Sequence, residues 1–304
     1  MRRPHVVWPT LMIASILVAC AGPGSTATES PDPSVADPTT ASPPATQAAS
    51  IAPSASEAAV DEHLVSIGDR SLWIECEGDG SPTVILESGL GGDHRTWEQV
   101  QPALAASSRV CTYDRAGIGL SDPVTEMRTA ADAVDDLAAL LDAAAIDGPY
   151  VLVGFSFGGA IAQLFAATHP EQVEGIVLVE SNHPLEATQF EEHLTEEQVA
   201  EDRAYALQNP EQMDVFAGLD EVQAAGGLPN VPLVVVTAGI SEGWPPGWDA
   251  ETFDALRAAQ QADLATFTDS GSQIIAETSG HHVPSEAPAT IIAAVEQVLG
   301  SIGD

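Results

Sequence analysis

Residues 150–159 read Tyr-Val-Leu-Val-Gly-Phe-Ser-Phe-Gly-Gly. A short apolar run ends in Gly154-Phe155-Ser156-Phe157-Gly158, and an alanine-rich helical pattern over 160–167 follows at once. An unbroken apolar run suits a strand covered on both faces, and the change of period marks a helix. The stretch predicts a strand, a very tight turn and a helix, with Ser156 at the apex. A residue at such an apex sits in a strained backbone region, and side chains at 154 and 158 are expected to collide with each other. The turn lifts the Ser156 hydroxyl clear of the sheet and aims the first amides of the helix, Phe157 foremost, at whatever the serine attacks. Taken alone, G-x-S-x-G is common; between a buried strand and a helix it marks a raised nucleophile.

Outward from this turn, residues 61–304 are long enough for one large α/β domain. Strands are predicted at 63–67, 72–77, 83–88, 110–114, 150–155, 175–180, 233–238 and 273–278. Helical patterns at 96–105, 130–144, 157–168, 250–264 and 288–299 separate them. Alternation after an initial hairpin predicts a mostly parallel, doubly wound, eight-stranded sheet. Residues 184–228 interrupt the alternation. They are rich in Glu and Gln, with helix-forming segments at 195–207 and 211–216, and read as a helical cap over the carboxyl edge of the sheet, a disordered loop being the alternative.

The amino terminus points to export. Arg2 and Arg3 precede an apolar stretch at 11–19 that is too short to span a bilayer. Leu17-Val18-Ala19-Cys20 resembles a bacterial lipobox, so residues 1–19 read as a lipoprotein signal peptide and Cys20 as the lipidation site; a plain secretory signal is the alternative. Acyl chains on Cys20 would tether the chain to the outer side of the cell membrane without crossing it. Residues 20–60, mostly Ala, Pro, Ser and Thr, bury no core and read as a disordered stalk. With 45 acidic residues against 9 basic ones, no lysine and a net charge of −36, the surface repels nucleic acid and anionic headgroups, which argues against nucleic-acid binding.

Three further motifs stand in register with the serine turn. They are Thr83-Val-Ile-Leu-Glu-Ser-Gly-Leu-Gly-Gly92, Tyr113-Asp-Arg-Ala-Gly-Ile-Gly-Leu-Ser121 and Ser279-Gly280-His281. Together the four resemble the α/β-hydrolase family over essentially all of 61–304. The resemblance implies a Ser-His-acid triad with Ser156 as nucleophile and His281 as base, His282 competing for that role. The acid is Glu180, after the strand at 175–180, or Glu242, in the loop after 233–238, with Glu180 preferred. Oxyanion donors are implied at the amides of Leu90 and Phe157, and losing one such donor raises a barrier by on the order of 3 kcal/mol. Glu87-Ser88 stands where the family commonly has His. That swap leaves the backbone donor in place and bears on substrate preference. Asp114 and Arg115 lie in a loop whose charges fix neighbouring turns in the family, and they read as architectural. The other histidines, among them His94, His169, His183 and His193, read as surface or loop residues. Trp244 and Trp248 either line an acyl pocket or pack against the cap. In this fold the strands carrying Cys76 and Cys111 are neighbours, so a disulfide is expected in an oxidising compartment.

The function these residues imply is hydrolysis of a small-molecule carboxylic ester through an acyl-enzyme, with no cofactor and no metal. An alternative is an aminopeptidase or amidase resembling prolyl iminopeptidases, with Glu191, Glu192, Glu196 and Glu197 of the cap holding a substrate amine. A third reading is a noncatalytic binding lipoprotein on the same scaffold.

Overall fold

A computed structural model describes residues 61–302; Cys20, the signal segment and the stalk lie outside the described residues. The sheet comprises β1 (Asp61–Ser66), β2 (Ser71–Glu77), β3 (Thr83–Glu87), β4 (Val110–Tyr113), β5 (Tyr150–Phe155), β6 (Val173–Val179), β7 (Leu233–Ala238) and β8 (Ser272–Ala276). Its order is β1-β2-β4-β3-β5-β6-β7-β8. The β1–β2 and β2–β4 pairs are antiparallel and all later pairs are parallel. This is an α/β-hydrolase sheet. The α-helices among the described residues are α1 (Gln101–Leu104), α2 (Ala130–Ala143), α3 (Phe157–Thr168), α4 (Glu186–Glu191), α5 (Glu196–Ala206), α6 (Val215–Ala225), α7 (Ala250–Leu264), α8 (Val283–Glu286) and α9 (Pro288–Ser301).

Two apolar layers flank the sheet. On one face Leu137, Ile161, Phe165 and Leu219 from α2, α3 and α6 pack with Leu152 of β5. On the other, Leu104, Ile291 and Val295 from α1 and α9 pack with Val151 and Val153 of the same strand. Successive side chains of a strand face opposite ways, so a run buried on both faces must be apolar throughout. Each such side chain contributes roughly 1.5–3 kcal/mol on burial. At the edge, β8 alternates exposed and covered residues, which accounts for its polar content.

Two predicted helices differ in the structure. The pattern at 96–105 divides into a 3-10 turn, His94–Trp97, and the short α1. Asp93 starts the turn by accepting from the Arg95 amide (3.0 Å), and Pro102, which lacks an N–H, enters the first turn of α1. The predicted segment 211–216 is mostly non-helical. Asp214 accepts from the Ala217 amide (3.0 Å) and caps α6, so the helix begins only at Val215. Between β6 and β7 the chain thus forms α4, α5 and α6. α6 packs on α2 and α3, whereas α5 buries no residue and is held by a Thr195–Gln198 capping box and the acidic first turn of Glu196 and Glu197. At the other end of the sheet, Cys76 and Cys111 stand opposite each other on β2 and β4 and are disulfide-bonded.

Candidate active site

Ser156 lies between the end of β5 and the start of α3 at φ 53°, ψ −124°, a backbone region L-residues rarely adopt. Its amide donates to Val179 O (3.0 Å), and its carbonyl accepts from the Gly159 amide (2.9 Å), so the strained turn is pinned on both sides. A Cβ at Gly154 would lie 2.6 Å from Gly158 O and 2.6 Å from Gly159 Cα. A Cβ at Gly158 would lie 2.3 Å from Ser88 O and 2.6 Å from Glu87 O. The expected clash between 154 and 158 is therefore corrected: position 158 is kept bare by the end of β3, which passes beside the turn.

Register brings the other groups to the same edge. Phe155 of β5 pairs with Val179 of β6, so Ser156 and Glu180 leave adjacent strands at one level. Glu180 also has a positive φ, 45°, and its amide donates to Val236 O of β7 (2.8 Å). His281, in the loop beyond β8, places Nε2 3.1 Å from Ser156 Oγ and Nδ1 3.3 Å from Glu180 Oε2. The second carboxylate oxygen, Oε1, accepts from the Ala238 amide (2.8 Å). His282 is exposed and meets the ring of Phe155, not Ser156. Glu242 is exposed, lies against Gly280 and makes no hydrogen bond to His281 among the described residues.

Arg257, on α7, was not anticipated from the sequence. Its Nη2 and Nε donate to Glu180 Oε2 at 2.9 and 3.1 Å, and Nη2 stands 3.4 Å from His281 Nδ1. Burial pushes the Glu180 carboxyl up, but the His281 hydrogen bond, the Arg257 charge and the Ala238 amide outweigh it and hold the group below its ordinary value. Arg257 and His281 Nδ1 thus meet the same carboxylate oxygen, and the other ring nitrogen, Nε2, faces the serine. The scarcity of basic residues was the available signal: in a chain with no lysine, an arginine inside a helix of a covered layer needs a carboxylate partner.

The loop after β3 completes the surroundings of Ser156. A Cβ at Gly89 would lie 3.2 Å from Ser156 Cβ, so the loop passes Ser156 closely at Gly89. Phe157 supplies the first amide of α3 on the other side. Behind the loop, Glu87 is buried and engaged by Arg115 and by the Tyr113 hydroxyl. Burial pushes its carboxyl up against the pull of both partners. Glu87 thus faces the interior, and its bearing is on the loop's support, not on a substrate cleft. Asp114 accepts from the amides of His94 and Leu120 (2.8 Å each), as a residue fixing turns does.

Two clefts border this cluster. One, of about 510 Å³, is lined by Glu180, Glu242, Trp244, Asp254, Arg257 and His281. The other, of about 310 Å³, is lined by Gly89–Gly92, Phe155 and His282. Trp244 and Trp248 stack on each other and meet Phe190 of α4, so the pair packs against the insertion while Trp244 also borders the first cleft. Glu192, Glu196 and Glu197 are exposed, and Glu191 pairs with Arg203. None of the four makes a hydrogen bond to Ser156, His281 or Glu180 among the described residues. His183 departs from the surface reading: it is buried, with Nε2 3.0 Å from Asp263 and Nδ1 accepting from the Leu185 amide at 3.1 Å. No group of three or more His, Cys, Asp or Glu among the described residues is placed to hold a metal ion.

The sheet order, the raised serine and the imidazole beyond the last strand define a class, and comparison with known proteins gives the same one. The profile of the alpha/beta hydrolase fold matches residues 82–239, and the chain belongs to that family. A protein of Yersinia enterocolitica provisionally named carbamate hydrolase RutD is 40% identical over 114 residues, which cover 36% of this chain and 41% of that protein. The matched segments span only 18% to 42% of the curated relatives. Among solved structures, E-2-(acetamidomethylene)succinate hydrolase superposes with a TM-score of 0.61 at 18% identity, covering 80% of this chain and 100% of that one. A thermophilic esterase from Thermogutta terrifontis gives 0.56 at 19% identity, with 80% and 100% covered. At such identities the likeness is one of fold.

Proposed function

We propose that the protein is a serine hydrolase that cleaves carboxylic esters of small molecules through an acyl-enzyme on Ser156. The observation that carries this reading is the 3.1 Å contact between Ser156 Oγ and His281 Nε2, continued from Nδ1 to Glu180. Oγ attacks the acyl carbon as its proton passes to Nε2, and Glu180 holds the resulting imidazolium. The amides of Leu90 and Phe157 receive the oxyanion. Nε2 then protonates the departing alcohol, and water repeats the sequence to free the acid. These steps call on no cofactor.

The purified protein is expected to hydrolyse short-chain aryl esters and to be labelled at Ser156 by a fluorophosphonate. Ser156→Ala should lower turnover by roughly 10⁴-fold or more. Undiminished turnover in that variant removes the reading, and an unlabelled wild type favours a noncatalytic binder. A carbamate is a second acyl class open to the same machinery, favoured by the relatives provisionally named carbamate hydrolase RutD. Aryl acetates and aryl carbamates sharing one leaving group separate the two.

For location we propose export, with a lipid on Cys20 as the only membrane attachment. Support comes from the basic start, the apolar stretch at 11–19 and the small residues before Cys20. Cys20→Ala should move the protein from the membrane pellet to the soluble fraction. Retention in the pellet contradicts the anchor.

A further inference from the structure

We propose that Glu211, contributed by the chain between β6 and β7, is a positioning residue that acts with Arg115 to aim the Leu90 N–H at the transition state. The proposal rests on the acyl-transfer reading above. A peptide unit is planar and trans, so its carbonyl and its N–H point in opposite directions. The unit that carries the Leu90 N–H carries the Gly89 carbonyl. Arg115 Nη2 donates to that carbonyl at 2.7 Å, and the Gly92 amide donates to it at 3.0 Å. Holding Gly89 O from behind therefore fixes the N–H forward, toward Ser156, beside which Gly89 is packed.

Arg115 needs its own restraint, and Glu211 supplies it. Glu211 Oε2 accepts from Arg115 Nε (2.6 Å), and Oε1 accepts from Arg115 Nη2 (2.7 Å) and from the Gly91 amide (2.6 Å). One carboxylate thus grips the guanidinium in a fork and the loop backbone just past Leu90. Both side chains are buried, at 4% and 0% exposure, so water does not compete for these bonds. The carboxylate is itself preorganised. The next residue, Gln212, is held at φ 54°, and its carbonyl accepts from the Arg128 amide (2.8 Å). Asn209 clamps the same segment through Met213, accepting from its amide and donating to its carbonyl, both at 2.8 Å. Backbone strain over-determined by neighbouring bonds is a mark of a functional position. The insertion between β6 and β7 is in this view part of the catalytic apparatus, because it holds the oxyanion loop from behind.

The test uses the full chain. Glu211→Ala is expected to lower kcat for an aryl ester on the order of 10- to 100-fold with KM within about twofold, because the lost interaction acts in the transition state. Affinity for an aryl boronic acid should fall in parallel, and the pH at which activity declines in acid should stay where it is. Glu211→Gln, which keeps the acceptor for Gly91 but sets an amide N–H₂ against Arg115, should recover part of the loss. A purely structural role would lower Tm while leaving kcat per fluorophosphonate-titrated site unchanged, and that result overturns the proposal. Should the variants fail to fold, amide exchange in the wild type decides. Strong protection of the Gly91 amide, despite its exposed position, supports the bond to Glu211, and rapid exchange overturns it. A wild type inert to ester and fluorophosphonate alike would instead sink the acyl-transfer reading.

Discussion

Ser156 and Glu180 both sit at positive φ, 53° and 45°, at the ends of neighbouring strands. Each conformation is unfavourable by itself and persists because strand-end hydrogen bonds hold it, Ser156 to Val179 and Glu180 to Val236. The electrostatics of Glu180 follow from Arg257, Ala238 and His281, which together hold its carboxyl below the ordinary value against the opposing effect of burial. A carboxyl depressed in the folded state contributes stability that is full at neutral pH and lost as the pH falls through the folded value. The stability advantage of wild type over Glu180→Gln should therefore be larger at pH 7 than below about pH 4. Urea denaturation at the two pH values checks this, and an advantage independent of pH contradicts it. At this scale the meeting of Ser156 with His281 was legible because local motifs carry both residues. Arg257 was not, since it reaches Glu180 across 77 residues of chain.

At the scale of elements, the insertion between β6 and β7 joins the domain unevenly. α6 contributes Leu219 and Val222 to the core beside α3, while α5 rests on its caps and its surface charges. α4 buries one residue, Phe190. Phe190 meets Trp244, Trp248 and Phe253 edge-on, with ring centroids 5.4, 6.3 and 5.3 Å away. Phe190→Ala should lower stability by about 3 kcal/mol, read from the denaturation midpoint, and should raise the accessibility of Trp244 to a fluorescence quencher. A loss under about 1 kcal/mol would mean that the aromatic group does not hold α4. Strand and helix alternation was legible for β5, α3, β7 and α7, whose periods are clean over their whole length. The stretch 211–214 was read as helix because its composition permits one. Its conformation is decided by Arg128, Asn209 and the Asp214 cap, not by propensity.

Over the described residues, the acidic surface leaves few cations to pair, and three arginines, two buried and one half-buried, are spent on the edge that carries Ser156 and on its supports. Arg115 and Arg257 bind carboxylates there, and Arg128 binds Asp136 and lies beside the segment that carries Glu211. The antiparallel end of the sheet is stapled instead by Cys76–Cys111, which closes a loop of 35 residues. Replacing both cysteines by alanine should lower unfolding free energy by about 3 kcal/mol, measured by denaturant titration against the oxidised wild type. Equal stability would show that pairing of β2 with β4 suffices alone.

What the chain determined by itself was the kind of chemistry and the succession of elements. A raised serine, a glycine-rich loop and a histidine past the last strand are written in neighbouring residues, and so is hydrophobic period. What only tertiary structure decided was which charges meet. Glu211 reaches Arg115 across 96 residues and Gly91 across 120, through an insertion whose local pattern predicts neither contact. Such pairings are selected by the packing of distant elements and by the penalty on leaving a buried charge alone, and no local stretch of sequence records them.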